Sequence, residues 1–224
     1  AYEGMERFFP AEKILFTGNP VRQNLLDTSV LKDEAVRSFG LIPGKRTILI
    51  VGGSLGARTL NESVLGNLPL VKQQSKVQFV WQTGKYYSEQ IKAELERRGC
   101  PENLKVMDFI SDMKQAYAAA DLVISRAGAG SISEFCLLGK PVILVPSPNV
   151  AEDHQTKNAL ALVQKSAALY VADADARRTL LPLAINTVED HNKLEGLSRN
   201  IVQLARPNAA SDIADEVIRL AEEG

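Results

Sequence analysis

The feature that most constrains this chain is a set of short, β-branched apolar runs without in/out alternation, spaced between stretches of helical periodicity. The runs are Lys13 to Phe16, Thr47 to Val51, Val77 to Trp81, Leu104 to Met107, Leu122 to Ser125, Val142 to Val145 and Leu169 to Val171, and each predicts a strand. Between them, Ala57 to Leu65, Tyr86 to Arg98, Met113 to Ala120, Ser131 to Leu138 and Thr156 to Lys165 combine helical spacing with good helix formers. Strands apolar at consecutive positions must be covered on both faces, and helical crossovers force parallel, right-handed connections. The expectation is an α/β fold, a Rossmann-like three-layer sandwich around a parallel sheet. From Ala176 onward the pattern is helical, with amphipathic spacing over Asn186 to Gln203 and Ser211 to Glu223 and a break at Pro207. These extra C-terminal helices are expected to pack on the sheet or on another domain.

No internal repeat, low-complexity tract or linker divides the 224 residues, so residues 1–224 read as a single domain. Ala1 to Pro10 has neither an initiator Met nor the layout of a signal peptide, and reads as the remnant of an interdomain connection in a longer chain. Lys and Arg total 26 against 27 Asp and Glu, so no broad basic field exists for a nucleic-acid partner, and an anionic ligand must be gripped locally. No apolar stretch approaches the roughly 20 residues that cross a bilayer; the run Ala116 to Ser125 is interrupted by Asp121. Cys100 and Cys136 lack metal-ligand spacing, and His154 and His191 stand far apart, so neither a metal site nor a disulfide framework is expected and the cytoplasm is the simpler location.

In a parallel α/β sheet, ligands bind outside the carboxyl ends of the strands, where helix N-termini present unpaired amides. After Thr47 to Val51 comes Gly52-Gly53-Ser54-Leu55-Gly56-Ala57, either a phosphate-approaching loop or a tight turn that binds nothing. After Leu122 to Ser125 comes Arg126-Ala127-Gly128-Ala129-Gly130-Ser131-Ile132-Ser133-Glu134. Glu134, placed in the first turn of its helix, either caps that helix or accepts hydrogen bonds from ribose hydroxyls. Arg126 is a phosphate ligand or a surface charge. Neither loop has the dinucleotide fingerprint G-x-G-x-x-G with an acid after the next strand, and no Gly-Lys-Ser or Gly-Lys-Thr occurs, which disfavours NAD binding and ATP hydrolysis. The stiff segment Pro146 to Gln155 carries amide and imidazole groups suited to a sugar, although Glu152, Asp153 and His154 can equally form a helix-capping cluster.

Taken together, Thr17-Gly18-Asn19-Pro20-Val21-Arg22, Gly52 to Asn61, Gln82-Thr83-Gly84-Lys85, Phe109-Ile110-Ser111-Asp112-Met113, Ser125 to Glu134 and His154 to Ala159 resemble, in order, the carboxyl-terminal half of the MurG family. These are bacterial peptidoglycan glycosyltransferases that move N-acetylglucosamine from UDP-N-acetylglucosamine to undecaprenyl-diphosphate-N-acetylmuramoyl-pentapeptide, converting lipid I to lipid II. The resemblance implies one half of a two-domain GT-B enzyme, the half that holds the donor, working without cofactor or metal. It implies that Arg22 and Ser54 hold the diphosphate region, that Gly53 is a further substrate-binding residue, that Ile110 presents its backbone to uracil, and that Ala129, Gly130, Ser131, Ile132, Ser133 and Glu134 wrap the nucleotide with Glu134 on the ribose. Gln155 would contact sugar hydroxyls, and His154 is a further substrate-binding candidate; some family members carry Gln in its place, and either side chain can hydrogen-bond. The family's Gly-Gly-Thr-Gly-Gly-His loop, with its proposed base, does not occur here. No catalytic residue is therefore expected in this chain, which would bind the donor without turning it over. The acceptor domain, the lipid I it receives and a peripheral position on the cytoplasmic face of the inner membrane would belong to the full-length enzyme. Two rivals stand beside this reading: a stand-alone donor-binding subunit of a two-chain glycosyltransferase, and one half of a UDP-sugar epimerase.

Overall fold

The structure, a computed structural model, describes residues 9–26 and 30–223; most of the predicted connection Ala1 to Pro10 lies outside the described residues. Six parallel strands form one sheet: β1 (Arg46–Val51), β2 (Val77–Gln82), β3 (Leu104–Met107), β4 (Leu122–Ser125), β5 (Val142–Leu144) and β6 (Leu169–Tyr170), in the order β3-β2-β1-β4-β5-β6. The helices are α1 (Lys32–Ser38), α2 (Arg58–Gly66), α3 (Leu68–Lys72), α4 (Ser88–Arg98), α5 (Met113–Ala119), α6 (Ala129–Leu138), α7 (His154–Gln164), α8 (Ala176–Glu189), α9 (His191–Val202) and α10 (Ala209–Glu223). The predicted Rossmann-like sandwich is the observed architecture.

Successive strand residues alternate between two cores. Ile48, Ile50, Phe79, Trp81, Leu122, Ile124 and Ile143 face one layer with Leu60 and Val64 of α2, Ile91 of α4 and Leu180 of α8. Leu49, Val51, Val80, Val123, Val142 and Leu144 face the other, with Val36 of α1, Tyr117 of α5 and Phe135 of α6. This two-sided burial is why the strands read as unbroken apolar runs. The buried Trp81 indole donates to Asn61 Oδ1 at 3.0 Å, and Asn61 Nδ2 donates to the Thr83 carbonyl at 2.9 Å, so α2 is pinned to the exit of β2 without an orphaned polar group.

Two sequence expectations fail. Lys13 to Phe16 is no strand: a single 3-10 turn covers Ala11–Lys13, and the following residues do not join the sheet, leaving Leu15 and Phe16 exposed. Apolar identity alone did not provide a strand partner. Asn186 to Gln203 is not one helix, because Asp190 ends α8 and its side chain accepts from Lys193 N at 3.0 Å, capping α9. The break at Pro207 separates α9 from α10 as expected.

Opposite the carboxyl ends of the strands, Asp121 ties α1 to the sheet: its carboxylate accepts from Lys32 Nζ at 2.5 Å, Arg46 Nη1 at 3.0 Å and Thr47 N at 2.8 Å. Near it, Lys140 donates to the Ala120 carbonyl at 3.0 Å. Burial pulls the Lys140 ammonium down from 10.5 to about 8, with Asp121 opposing the fall and Lys32 adding to it. A depressed folded-state value means that the unfolded chain holds the proton more tightly between those limits, so this group adds stability as pH rises from about 8 to 10.5. Chemical denaturation of wild type and Lys140→Met should show wild type gaining on the variant by on the order of 2 kcal/mol across that window.

At the carboxyl end, Gly56 and Gly84 cross in backbone contact. Both have positive φ, +85° and +80°, and a Cβ on Gly84 would lie 2.1 Å from Gly56 N. Gly84→Ala should therefore lower the denaturant midpoint by the equivalent of about 2 kcal/mol or more, with little change in m-value.

Candidate functional site

The chain leaves β1 through Gly52 to Ala57, with Gly53, Ser54 and Leu55 exposed above the strand end and the turn closed by Gly56 N donating to the Gly53 carbonyl at 2.9 Å. It leaves the neighbouring strand β4 through Arg126 to Gly128. The two helices that follow, α2 and α6, have Ala57 and Gly128 as N-caps, and neither residue supplies a side-chain cap. In α6 the first amide with a helical partner is Ile132 N, on the Gly128 carbonyl at 3.0 Å. The amides of Ala129, Gly130 and Ser131 thus precede the helical ladder, at the positive end of the helix dipole.

Glu134 does not cap α6. The helix starts at Ala129, two residues earlier than expected, which puts Glu134 in its second turn. Its carboxylate is divided between two partners. Tyr117 of α5 donates its hydroxyl to Oε2 at 2.7 Å; Arg22 approaches Oε1 with Nη2 at 2.9 Å and Nε at 3.3 Å. Burial, then the charge and hydrogen bond of Glu134, push the Tyr117 phenol well above its ordinary value, so it remains a donor at neutral pH. Arg22 is the wet partner, its side chain 53% exposed against 15% for Glu134. Beside this pair Asn19 Nδ2 donates to Ser133 Oγ at 3.2 Å, and Ser133 Oγ donates back to the Ala129 carbonyl at 3.0 Å. The segment carrying Asn19 and Arg22 therefore lies along α6.

Ile110, on the loop after β3, is buried in the same core as Ile132 and Ala127, so only its backbone is left to face a ligand. Phe109 beside it is exposed, with Lys85 Nζ 5.3 Å from the ring centroid. Gln155 turns onto its own loop, its Oε1 accepting from Ser147 N at 2.9 Å. His154 opens α7, with Nδ1 2.8 Å from the Ala151 carbonyl, and Asp153 Oδ1 accepts from Thr156 Oγ1 at 2.6 Å. His154 and Asp153 thus bond locally at the start of α7, but neither side chain caps an α7 amide, unlike the expected capping cluster; the Glu152 side chain lies outside the described residues.

Arg126 is not a free surface charge. Its Nη1 donates to the Val145 and Pro146 carbonyls, both at 3.0 Å, and to Asp173 Oδ1 at 2.5 Å, while Asp173 Oδ2 accepts from Thr59 Oγ1 at 2.9 Å. Among the described residues no group of three or more His, Cys, Asp or Glu is arranged to hold a metal ion, and no helix is long and apolar enough to cross a membrane.

Residues 47–217 match the family model described as glycosyltransferase family 28 C-terminal domain. The chain belongs to this family. A Bacteroides fragilis protein named UDP-N-acetylglucosamine--N-acetylmuramyl-(pentapeptide) pyrophosphoryl-undecaprenol N-acetylglucosamine transferase is 63% identical over the full chain, and a Cytophaga hutchinsonii protein of the same name is 50% identical over 98% of it. The chain spans 59% and 58% of the lengths of these two relatives. Among solved structures, Acinetobacter baumannii MurG superposes with a TM-score of 0.69 at 31% identity, covering 87% of this chain and 55% of that one. A Neisseria meningitidis UDP-GlcNAc 2-epimerase superposes at 0.68 over 96% of this chain and 58% of that one, but at 17% identity it shares the fold alone.

In this family 28 C-terminal domain the mouths of β1 and β4 bring together backbone donors, one guanidinium and one carboxylate. That set can neutralise an anionic group while accepting hydroxyl hydrogen bonds beside it. The residue the motifs did not mark is Tyr117, which steadies Glu134 from another helix; Asn19 lies in a quoted motif but carried no expected role. The two hydrogen-bond partners of Glu134 differ in burial, and their removal should differ in cost. Tyr117→Phe should destabilise the domain by about 2 kcal/mol in urea unfolding, whereas Arg22→Ala should cost less than about 1 kcal/mol because its guanidinium is largely solvated.

Proposed function

We propose that residues 1–224 form one domain that binds UDP-N-acetylglucosamine as the donor half of a GT-B enzyme. The enzyme would transfer N-acetylglucosamine, with inversion, to undecaprenyl-diphosphate-N-acetylmuramoyl-pentapeptide in peptidoglycan synthesis. The observation that carries this reading is the pair of uncapped helix N-termini on adjacent strands, with Glu134 held beside them by a buried tyrosine. The names of the 50–63% identical relatives support it.

On this reading the α6 amides, Gly53, Ser54 and Arg22 take the diphosphate, and Glu134 Oε1 takes the ribose while Tyr117 occupies Oε2. The buried Ile110 offers uracil its peptide groups, and Ser131, Ile132 and Ser133 line the nucleotide. Gln155 and His154, already placed at the entry to α7, reach the sugar. In an inverting transfer a base removes the proton of the acceptor hydroxyl as the UDP leaving group gathers charge. This domain would supply the second half of that chemistry: fixed amides and a guanidinium aimed at the departing diphosphate, in place before the bond breaks. The base, the lipid acceptor site and the contact with the cytoplasmic face of the membrane belong to an acceptor domain outside residues 1–224, and neither metal nor cofactor takes part.

Thermal shift with UDP, ADP, GDP and NAD side by side tests the assignment. A ligand at about 100 times its dissociation constant stabilises the native state by roughly 2.7 kcal/mol. Only UDP and UDP-N-acetylglucosamine should raise the melting temperature, and Glu134→Gln should weaken both, while the chain alone gives no transfer to a lipid I analogue. Equal shifts from all four nucleotides would sink the reading.

A further inference from the structure

We infer that Asp173 is a positioning residue that sets the spacing between the two glycine-rich mouths of β1 and β4; this rests on the reading of those mouths as the diphosphate site. The two mouths diverge by construction. α2 packs on one face of the sheet and α6 on the other, and the ladder between β1 and β4 ends at the pair Val51 and Ser125. Beyond that pair, sheet hydrogen bonding no longer holds them together. Asp173, in the turn after β6, spans the gap with one carboxylate: Oδ2 on Thr59 in the first turn of α2, Oδ1 on Arg126 in the mouth of β4. Arg126 extends the brace to the exit of β5 through the Val145 and Pro146 carbonyls. The two charged side chains are only 17% and 21% exposed, so the pair is shielded from the solvent that makes most surface ion pairs weak.

The brace has an electrostatic side as well. A bare carboxylate near a diphosphate would repel it, and Arg126 cancels that charge. Arg126 therefore neutralises Asp173, and Asp173 spaces the loops. Removing Arg126 alone should harm diphosphate binding more than removing both residues, a sign pattern that loss of packing would not produce.

Calorimetric titration of UDP and uridine into wild type, Asp173→Asn, Asp173→Ala, Arg126→Ala and the Arg126→Ala/Asp173→Ala double variant tests this, with amide hydrogen exchange on the ligand-free proteins. Asp173→Ala should lose about tenfold in UDP affinity, as expected for small misplacement of a binding group, with uridine affinity unchanged. Asp173→Asn, which keeps one acceptor oxygen for Arg126 and turns an amide donor toward the Thr59 hydroxyl, itself able to accept, should lose less. The double variant should bind UDP better than Arg126→Ala. Exchange should rise together at residues 52–57 and 126–131. Equal losses for UDP and uridine, no loss in Asp173→Ala, or faster exchange in one mouth only would overturn the brace. Should Asp173→Ala fail to fold, Thr59→Val removes one arm and is judged by the same criteria. If wild type binds neither uridine compound, the donor-site reading falls, while the exchange data still decide whether Asp173 couples the two mouths.

Discussion

The candidate site depends on the adjacency of β1 and β4, whose following chains leave for opposite faces of the sheet. Here the strand order turns from β1-to-β3 to β4-to-β6 and the winding reverses, which opens a crevice above the strand ends. Two helix N-termini then point toward the same space from different layers. Because both N-caps lack a side-chain acceptor, the amides are not consumed internally, and the arrangement is available for a ligand in a way that a Ser or Asp cap would have prevented.

The β1 mouth is held open by a steric device rather than by hydrogen bonds alone. Gly56 and Gly84 touch backbone to backbone, and Lys85 N donates to the Ser54 carbonyl at 3.3 Å. The exit of β2 thus buttresses the loop after β1, and Asn61, bridging Trp81 and Thr83, locks the helix behind it. A glycine-rich segment is entropically costly to order; the crossing with a second glycine turn confines it without adding a side chain to the crevice.

Much of this was legible in the chain itself, because two-sided burial writes itself as continuous β-branched runs, and the strand assignments from Thr47 to Leu169 follow directly. The misreadings have different causes, one distant and the others local. Lys13 to Phe16 has strand composition but no neighbour to pair with. Asp190 is a good cap within an otherwise continuous amphipathic pattern, and periodicity overrode the local signal. The short, polar α1 escaped detection because its Ala35 and Val36 are its buried residues. Glu134 lies in the second turn of its helix rather than the expected first, since α6 begins on glycine and alanine rather than on a polar cap. Asp173 could not have been found: 47 residues separate it from Arg126 and 114 from Thr59, and no motif links them.

On the proposed reading, a chain with net charge −1 presents a site for an anion without a broad basic field. Peptide dipoles at two uncapped helix ends supply positive potential without an excess of Lys or Arg. The acids near them are each restrained, Glu134 by Arg22 and Tyr117, Asp173 by Arg126. Their roles then separate by exposure. Arg22 is solvated enough to exchange its carboxylate for another anion at small cost, whereas Arg126, held by two carbonyls and a shielded carboxylate, is not. One arginine is thus free to follow a ligand and the other is committed to the scaffold, a division that the similar chemistry of two guanidinium groups at neighbouring loops would not suggest without their surroundings.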